Sequence, residues 1–405
     1  MGTAIALSGK SKDDGRNASL VVFVADKANK DNLAQSLGQL GVTDAYVARG
    51  GIDAAITHLG RMDKPPLRLI VDISGLDNPL AALDRLAEAC DPSVQVYAMG
   101  VTNDVTLYRA LLEAGICDYR FKPVTVDALR TWLTQDGGHP VRKARSGKVI
   151  AVTGTRGGVG VTSVAAHLAS QLTAGSGLRR VVYLDMDLYG GAGSTLLGMA
   201  PNHAMFEALK NVDRLDPQFL QRTLTTKDGR LFVLAFNQNY ADTASPEAGA
   251  AAQLLEVLAQ HFHYVVVDLP RPGGVVANEV FGQASVACVV SDRSVHSAHV
   301  LTRLISHIEA RPNAPVLHWV VNASRAPARS AIDSRQVAQA VSHPVALDIA
   351  YDPKAPALAE DLGEPLAPSS DFAKAIGKLA LKLTGELACD GKTGSRIVRW
   401  LRRTA

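Results

Sequence analysis

The chain has 405 residues, 47% of them hydrophobic and 20% charged, the balance of a globular protein with two or three packed domains. Its net charge of +3 exerts no global pull toward nucleic acid. The four cysteines, Cys90, Cys117, Cys288 and Cys389, lack metal-ligand spacing and read as reduced, buried thiols of a cytoplasmic protein. No apolar run approaches the ~18 residues of a membrane span and no signal-peptide pattern opens the chain, so a protein neither secreted nor integral to a membrane is expected.

Residues 1–17 are small and polar and read as a flexible tail. From residue 18 to 134 strands alternate with helices. Leu20–Ala25, Leu67–Ile73, Val94–Met99 and Asp118–Phe121 are expected strands; Asp31–Leu40, Leu80–Cys90, Tyr108–Ala114 and Val126–Thr134 are expected helices. Such alternation argues a parallel sheet covered on both faces.

Asp26 directly follows the strand Leu20–Ala25, Asp72 stands at the end of Leu67–Ile73, and Ala114-Gly-Ile-Cys-Asp118 leads to Lys122-Pro123. On these residues the segment resembles a two-component receiver domain. The resemblance implies a phosphoacceptor at Asp72, Mg²⁺ on an acid pair after the first strand, and Lys122 pairing with phosphate. The acid pair, however, is Ala25-Asp26, and the position of the switch hydroxyl is Gly100. The expectation is therefore an atypical receiver-like fold kept as an interaction module, with Asp72 a vestigial acceptor.

Residues 135–147, rich in glycine and basic residues, read as a linker, and a second α/β domain is expected over 148–388. Its opening stretch is a strand from Val149, then Thr155-Arg-Gly-Gly-Val-Gly-Val-Thr162, then a helix beginning at Thr162-Ser163. A strand feeding a glycine loop and a helix N-terminus is a phosphate cradle, because inward N–H groups and the helix dipole both favour an anion. Two departures stand out against G-x-x-x-x-G-K-[ST]: Val161 takes the lysine position and Thr155 that of the first glycine. Losing an ammonium ~4 Å from phosphate forfeits up to ~4 kcal/mol of gross attraction at an effective dielectric near 20. Binding through backbone N–H groups and Mg²⁺ can survive that loss, whereas hydrolysis suffers more.

Two further strands end in acids. Arg180–Asp187 closes on Asp185-Met-Asp187 before a glycine-rich turn, and His263–Pro270 carries Asp268. A strand-end carboxylate beside a phosphate loop, with the loop hydroxyl of Thr162, is how P-loop proteins hold Mg²⁺. Helices are also expected over Glu247–His261, Ala298–Ile308 and Phe372–Leu387, and strands over Ala287–Val290 and Val316–Val321.

The loop resembles the deviant P-loop of the MinD/ParA ATPases, with Arg156 at the signature lysine, Asp187 in the first switch, Asp268-Leu-Pro270 in the second and Val320-Val-Asn322 in the adenine-reading strand. Within that superfamily the chain resembles the CpaE/TadZ group of Flp (Tad) pilus assembly proteins over roughly residues 20–385. The resemblance implies an α/β architecture: an N-terminal receiver-like, flavodoxin-like doubly wound domain and a MinD/ParA-like P-loop domain with a mainly parallel sheet. It implies ATP and Mg²⁺ as cofactors. Arg156, Gly157, Gly158, Val159, Gly160, Val161, Thr162, Ser163 and Asn322 would hold the nucleotide, and Thr162, Asp185 and Asp268 the Mg²⁺. Asp187 would activate water in any slow hydrolysis, and Arg156 would contact phosphate across a homodimer.

Residues 389–405 form a basic tail. Over 391–405 there are five cations and no acid, and at 100° per residue Ile397, Val398, Trp400 and Leu401 share one arc. Three readings stay open: contact with the inner-membrane surface, a partner-docking helix, or a disordered basic tail. The expected function is a nucleotide-gated localisation and assembly factor for a pilus or secretion machine, cytoplasmic and peripheral at the inner membrane or cell pole. Its partners would be assembly proteins, with no specific nucleic acid. The alternative is a ParA-type partition ATPase that binds DNA nonspecifically, for which no dense internal Lys/Arg cluster is evident.

Overall fold

The computed structural model describes residues 5–6, 15–62, 64–134, 146–174, 179–200, 208–209, 224–227, 229–235, 241, 246–324, 333–364 and 366–384. The expected linker, apart from Ser146 and Gly147, and the whole basic tail lie outside the described residues. Two compact units are present, one taking in Met1–Lys148 and the other most of the chain beyond.

The first unit runs β1 (Ile5–Ala6), β2 (Leu20–Val24), α1 (Lys27–Gln39), β3 (Ala45–Arg49), α2 (Ile52–Leu59), β4 (Arg68–Asp72), α3 (Pro79–Ala89), β5 (Gln95–Gly100), α4 (Val105–Glu113), β6 (Asp118–Phe121) and α5 (Val126–Thr134). Its sheet has the order β1-β3-β2-β4-β5-β6. All pairings are parallel except β1 with β3. From β3 onward this is the flavodoxin-like doubly wound order, so the expected fold class is observed. Every residue of β2 is buried, as a central strand covered on both faces requires.

Helix starts differ from expectation for a local reason. Helix α1 begins at Lys27 rather than Asp31 because the Asp26 carboxylate accepts from the Asn29 N–H at 2.8 Å. Helix α4 begins at Val105 rather than Tyr108 because Asp104 accepts from the Thr106 N–H at 2.6 Å. An N-cap acceptor satisfies an orphan donor one turn before apolar periodicity becomes visible. The pair β3 and α2 escaped the sequence reading altogether. So did β1, two residues inside the segment expected to be a loose tail.

The second unit continues with β7 (Lys148–Gly154), α6 (Val161–Thr173), β8 (Val181–Asp185), α7 (Gly193–Leu196), β9 (Thr225–Lys227), β10 (Leu231–Leu234), α8 (Ala250–His261), β11 (Tyr264–Asp268), α9 (Val275–Gln283), β12 (Val286–Ser291), α10 (Val295–Glu309), β13 (Val316–Asn322), α11 (Ser334–Val341), β14 (Val345–Ile349), α12 (Ala355–Leu362) and α13 (Asp371–Thr384). Its eight strands are ordered β14-β13-β12-β7-β11-β8-β10-β9. Only the β9–β10 pairing is antiparallel among those described. The mainly parallel sheet expected from the sequence is thus observed, with β7 near its centre. Parallel strands all deliver their C-terminal ends to one edge, where ligands of open α/β sheets bind.

Helix α6 packs on this sheet through fully buried Val164, Leu168 and Leu172, and α13 covers it with Phe372, Ile376 and Leu379. His167 ties the two neighbourhoods together. Its Nδ1 donates to the Ser163 carbonyl at 2.6 Å and its Nε2 accepts the Leu366 N–H at 3.3 Å, the tautomer in which both bonds are satisfied. Burial holds this imidazole below its ordinary value of 6.5, against the opposing pull of the Ser163 carbonyl. The unfolded chain therefore binds the proton more readily, so this contribution is complete above about pH 6.5 and lost as pH falls below it. The denaturation midpoint is expected to be lower at pH 5.5 than at pH 8, and the difference smaller in His167→Gln. Because burial also lowers His261, His263 and His318, part of it persists; an unchanged pH difference in the variant would refute the assignment to His167.

Candidate functional site: a glycine loop at the head of strand β7

Strand β7 is buried from Val149 to Gly154, and the chain then turns through residues 155–160 into α6. Gly158 has φ +76° and Gly160, the residue before the helix, φ +90°. Side chains with a β-carbon rarely adopt either value. Gly160 carries no side chain to cap α6, so the first N–H groups of the helix face the loop, the arrangement that receives phosphate.

The loop is braced on both sides. Thr155 donates its N–H to the Val290 carbonyl at 3.0 Å and its hydroxyl to Ser297 Oγ at 2.9 Å. Beside it the Arg156 guanidinium pairs with the Asp292 carboxylate and donates to the Gly157 carbonyl at 3.2 Å. From the other side Asn322, 5% exposed at the end of β13, donates through Nδ2 to the Val159 carbonyl at 2.8 Å. A β-carbon on Gly160 would stand 2.5 Å from that Asn322 nitrogen, so glycine is required there by space as well as by φ.

Val161 is not merely a lysine deleted. It packs against the core under α6, and a β-carbon on Gly154 would come within 2.5 Å of its Cγ2. The side chain is half-buried against the apolar interior, and Thr162 and Ser163 are likewise half-buried in the first turn of α6.

Asp185 and Asp268 end neighbouring strands, paired in register. Asp185 accepts the N–H groups of Asp187 at 3.0 Å and Gly193 at 3.2 Å. The space facing it is closed to larger residues, since a β-carbon on Gly191 would lie 2.4 Å from its Oδ2. Burial first, then the charge of Asp268, raises its carboxyl to about 7. Asp268 is raised to about 6 by burial, against the Thr162 and Tyr183 hydroxyls, which favour its charged form. The Tyr183 hydroxyl donates to Asp268 Oδ2 at 2.8 Å, while the buried Oδ1 has no hydrogen-bond partner among the described residues. Two buried acids sharing one site and an unpartnered carboxylate oxygen fit a hard divalent cation. Among the described residues no three His, Cys, Asp or Glu side chains could hold a metal, so a ligand's oxygens would complete the shell, as Mg²⁺ prefers.

The structure thus brings Arg156–Ser163, Asp185, Asp268 and Asn322 to one edge of one sheet. Asp187 follows just past β8, its Oδ1 accepting the N–H groups of Tyr189 at 3.2 Å and Gly190 at 3.1 Å. Asp292, Ser297 and Tyr183 were missed by the sequence reading. Asp292 had a usable signal, because like Asp185 and Asp268 it stands where a buried strand ends at this edge.

In the first unit Asp72 sits 2% exposed between the N–H groups of Ala25, at 2.9 Å, and Ser74, at 3.0 Å. Lys122 pairs with it and approaches Asp26 at 3.6 Å. The position expected to lack the switch hydroxyl is closed: a β-carbon on Gly100 would lie 2.6 Å from the Tyr119 oxygen, which donates to the Thr102 carbonyl at 2.7 Å.

Residues 145–340 match the model of the ParA family, described as the NUBPL iron-transfer P-loop NTPase. The septum site-determining protein MinD of Bacillus subtilis is 27% identical over 248 residues, 59% of this chain and 90% of that protein. Among solved structures, a ParA family ATPase from Chlorobium tepidum superposes with a TM-score of 0.54 at 21% identity, covering 59% of this chain and 99% of that one. MinD of Pyrococcus horikoshii, complexed with Mg-ADP, gives 0.51 at 17% identity over 58% and 95%. The glycine loop and its strand-end acids thus lie in the part of the chain that is similar to these proteins, and the second unit has a MinD/ParA-like P-loop fold.

A cation on the acid pair would remove the cost of two buried like charges. Mg²⁺ is expected to raise the melting temperature of the protein by roughly 2–4 °C for each kcal/mol of linkage. Asp268→Asn should abolish that gain; a variant stabilised as much as the parent would show that the cation, if bound, sits elsewhere.

Proposed function

We propose that this protein is an ATP- and Mg²⁺-binding localisation and assembly factor for a Flp (Tad) pilus or related secretion machine. It acts as a homodimerising switch whose ATP hydrolysis is slow or absent. The observation that carries the reading is the loop itself: a braced glycine cradle on an uncapped helix N-terminus, in which the lysine position is filled by a half-buried valine packed against the core. Such a loop retains the N–H groups that bind phosphate and lacks the ammonium that would stabilise charge moving to the leaving oxygen.

In this reading the site residues take the following roles. Gly157–Ser163 cradle the phosphates through backbone N–H groups. Thr162, Asp185 and Asp268 hold Mg²⁺, which when bound neutralises phosphate charge and relieves the acid pair. Asn322 serves the nucleotide end of β13, Arg156 reaches phosphate across the dimer, and Asp187 orients water in whatever hydrolysis remains. The Mg-ADP held by the Pyrococcus horikoshii relative supports this ligand class.

Residues 18–134 serve as a docking module rather than a phosphorylation switch. Asp72 is saturated by two N–H groups and Lys122, while exposed Val101, Val105, Tyr108 and Phe121 offer an apolar surface to assembly proteins. No helix among the described residues is long and apolar enough to cross a membrane, and residues 391–405 provide peripheral contact with the inner-membrane face. The cellular address is cytoplasmic, at that membrane or at the cell pole.

Equilibrium binding and mass measurements on the full chain test this reading. Mg-ATP should bind and shift the mass toward a dimer, and EDTA should remove both effects; turnover on the order of 10 s⁻¹, an ordinary enzyme rate, would overturn it. Val161→Lys should tighten ATP binding by about tenfold, equivalent to ~1.4 kcal/mol. No gain at all would mean that the packing of residue 161 against the core, not its missing charge, limits the site.

A further inference from the structure

The loop cation is spoken for inside its own subunit. Arg156 is still reachable, its side chain 30% exposed, whereas the Asp292 side chain is 6% exposed and fixed. Asp292 Oδ1 accepts both the N–H of Ser294, at 3.1 Å, and its hydroxyl, at 2.6 Å, and Ser294 in turn caps α10. The opposite oxygen, Oδ2, takes the guanidinium. Burial alone would favour the neutral acid; the hydrogen bonds from Ser294, Ser297 and Arg156 outweigh it and hold the carboxyl well below the usual carboxylate range. The partner of Arg156 is thus a permanent, immobile charge, welded to the far wall of the loop beside Thr155 and Ser297.

A guanidinium held in this way is drawn away from phosphate, because Asp292 compensates its charge through Nη2 and the Gly157 carbonyl takes Nη1, so the fork cannot meet a phosphate bidentately without leaving them. Moving it off Asp292 would leave a buried carboxylate short of its cation. The neighbouring backbone is open to one side: among the described residues a β-carbon on Gly157 or Gly158 would meet no atom within 4 Å, and the bond from Arg156 to the Gly157 carbonyl is released when Arg156 swings away.

We propose that Asp292 is a positioning residue that withholds Arg156 from phosphate, so that the pair acts as a lock on the nucleotide site. The phosphate-competent state is the one in which Arg156 has exchanged the Asp292 carboxylate for a phosphate of Mg-ATP, and the resting state is the ion pair. Apparent nucleotide affinity is reduced by the fraction of molecules in which the pair is closed. The lock rests on the nucleotide-binding reading above, and the experiment separates the two.

Asp292→Asn keeps an Oδ1 acceptor for Ser294 and removes only the charge, so the α10 cap is retained. Two measurements on the full chain decide. In the first, without nucleotide, Arg156 is modified with phenylglyoxal and its rate followed by peptide mass. Arg156 should be protected relative to exposed arginines in the parent and should react on the order of tenfold faster in Asp292→Asn. In the second, Mg-ATP affinity is measured in the parent, Asp292→Asn, Arg156→Ala and the double variant. Asp292→Asn should bind on the order of tenfold more tightly, and the gain should vanish when Arg156 is absent. Equal phenylglyoxal rates, or a gain that persists without Arg156, overturn the lock. A parent that shows Arg156 protection but binds no Mg-ATP overturns the nucleotide reading instead, with the ion pair established by the first measurement.

Discussion

Everything at this site depends on holding a glycine loop open. A loop with two residues at positive φ and no side-chain cap at its helix has no local reason to keep its N–H groups turned inward. The restraint comes from outside it. Thr155 is tied to β12 and α10, and Val159 to Asn322. Apart from Ser297 in α10, these partners stand at the C-terminal ends of β12, which neighbours β7, and of β13, one strand further out. The cradle is therefore a property of sheet topology: with β12 or β13 elsewhere, the same loop sequence would lose its braces. Buried, hydrogen-bonded side chains can do this because leaving any one of them unpartnered costs a full desolvation penalty.

The electrostatics of the site are lopsided, and that imbalance shapes its chemistry. Asp185, Asp268 and Asp292 all sit at buried strand ends, while the loop offers one guanidinium and a valine where an ammonium would be expected. The acids resolve their repulsion differently. Asp292 has Arg156 and a serine cap and stays charged. Asp185 and Asp268 have mainly each other, a tyrosine and backbone N–H groups, and both are pushed toward neutral pH. A divalent cation is the simplest relief for that pair. The first unit shows the opposite solution, since Lys122 lies on Asp72 and near Asp26, so its acids are already compensated.

Much of this was legible in the chain. The strand–helix alternation, the mainly parallel sheets and the glycine loop between β7 and α6 follow from apolar periodicity and glycine spacing, which act over a few neighbouring residues. The acids at 185 and 268 were readable because each ends an unbroken apolar strand. Helix starts at Lys27 and Val105 were not, since the capping acids precede the amphipathic pattern. Strands such as β3, with little apolar contrast to their surroundings, were passed over.

Sequence by itself determined that a phosphate-type loop exists, that its lysine is absent, and that acids stand ready beside it. Only tertiary structure decided what the remaining charges do. Arg156 and Asp292 are 136 positions apart, and Asn322 and Val159 are 163 apart; no local pattern records such pairings, because strand order alone brings them together. Likewise, a valine at 161 reads in sequence as a missing charge. In the folded molecule it is a half-buried side chain packed against the core over Gly154, because a helix that packs its first turn on a buried strand has apolar surface to cover at that position.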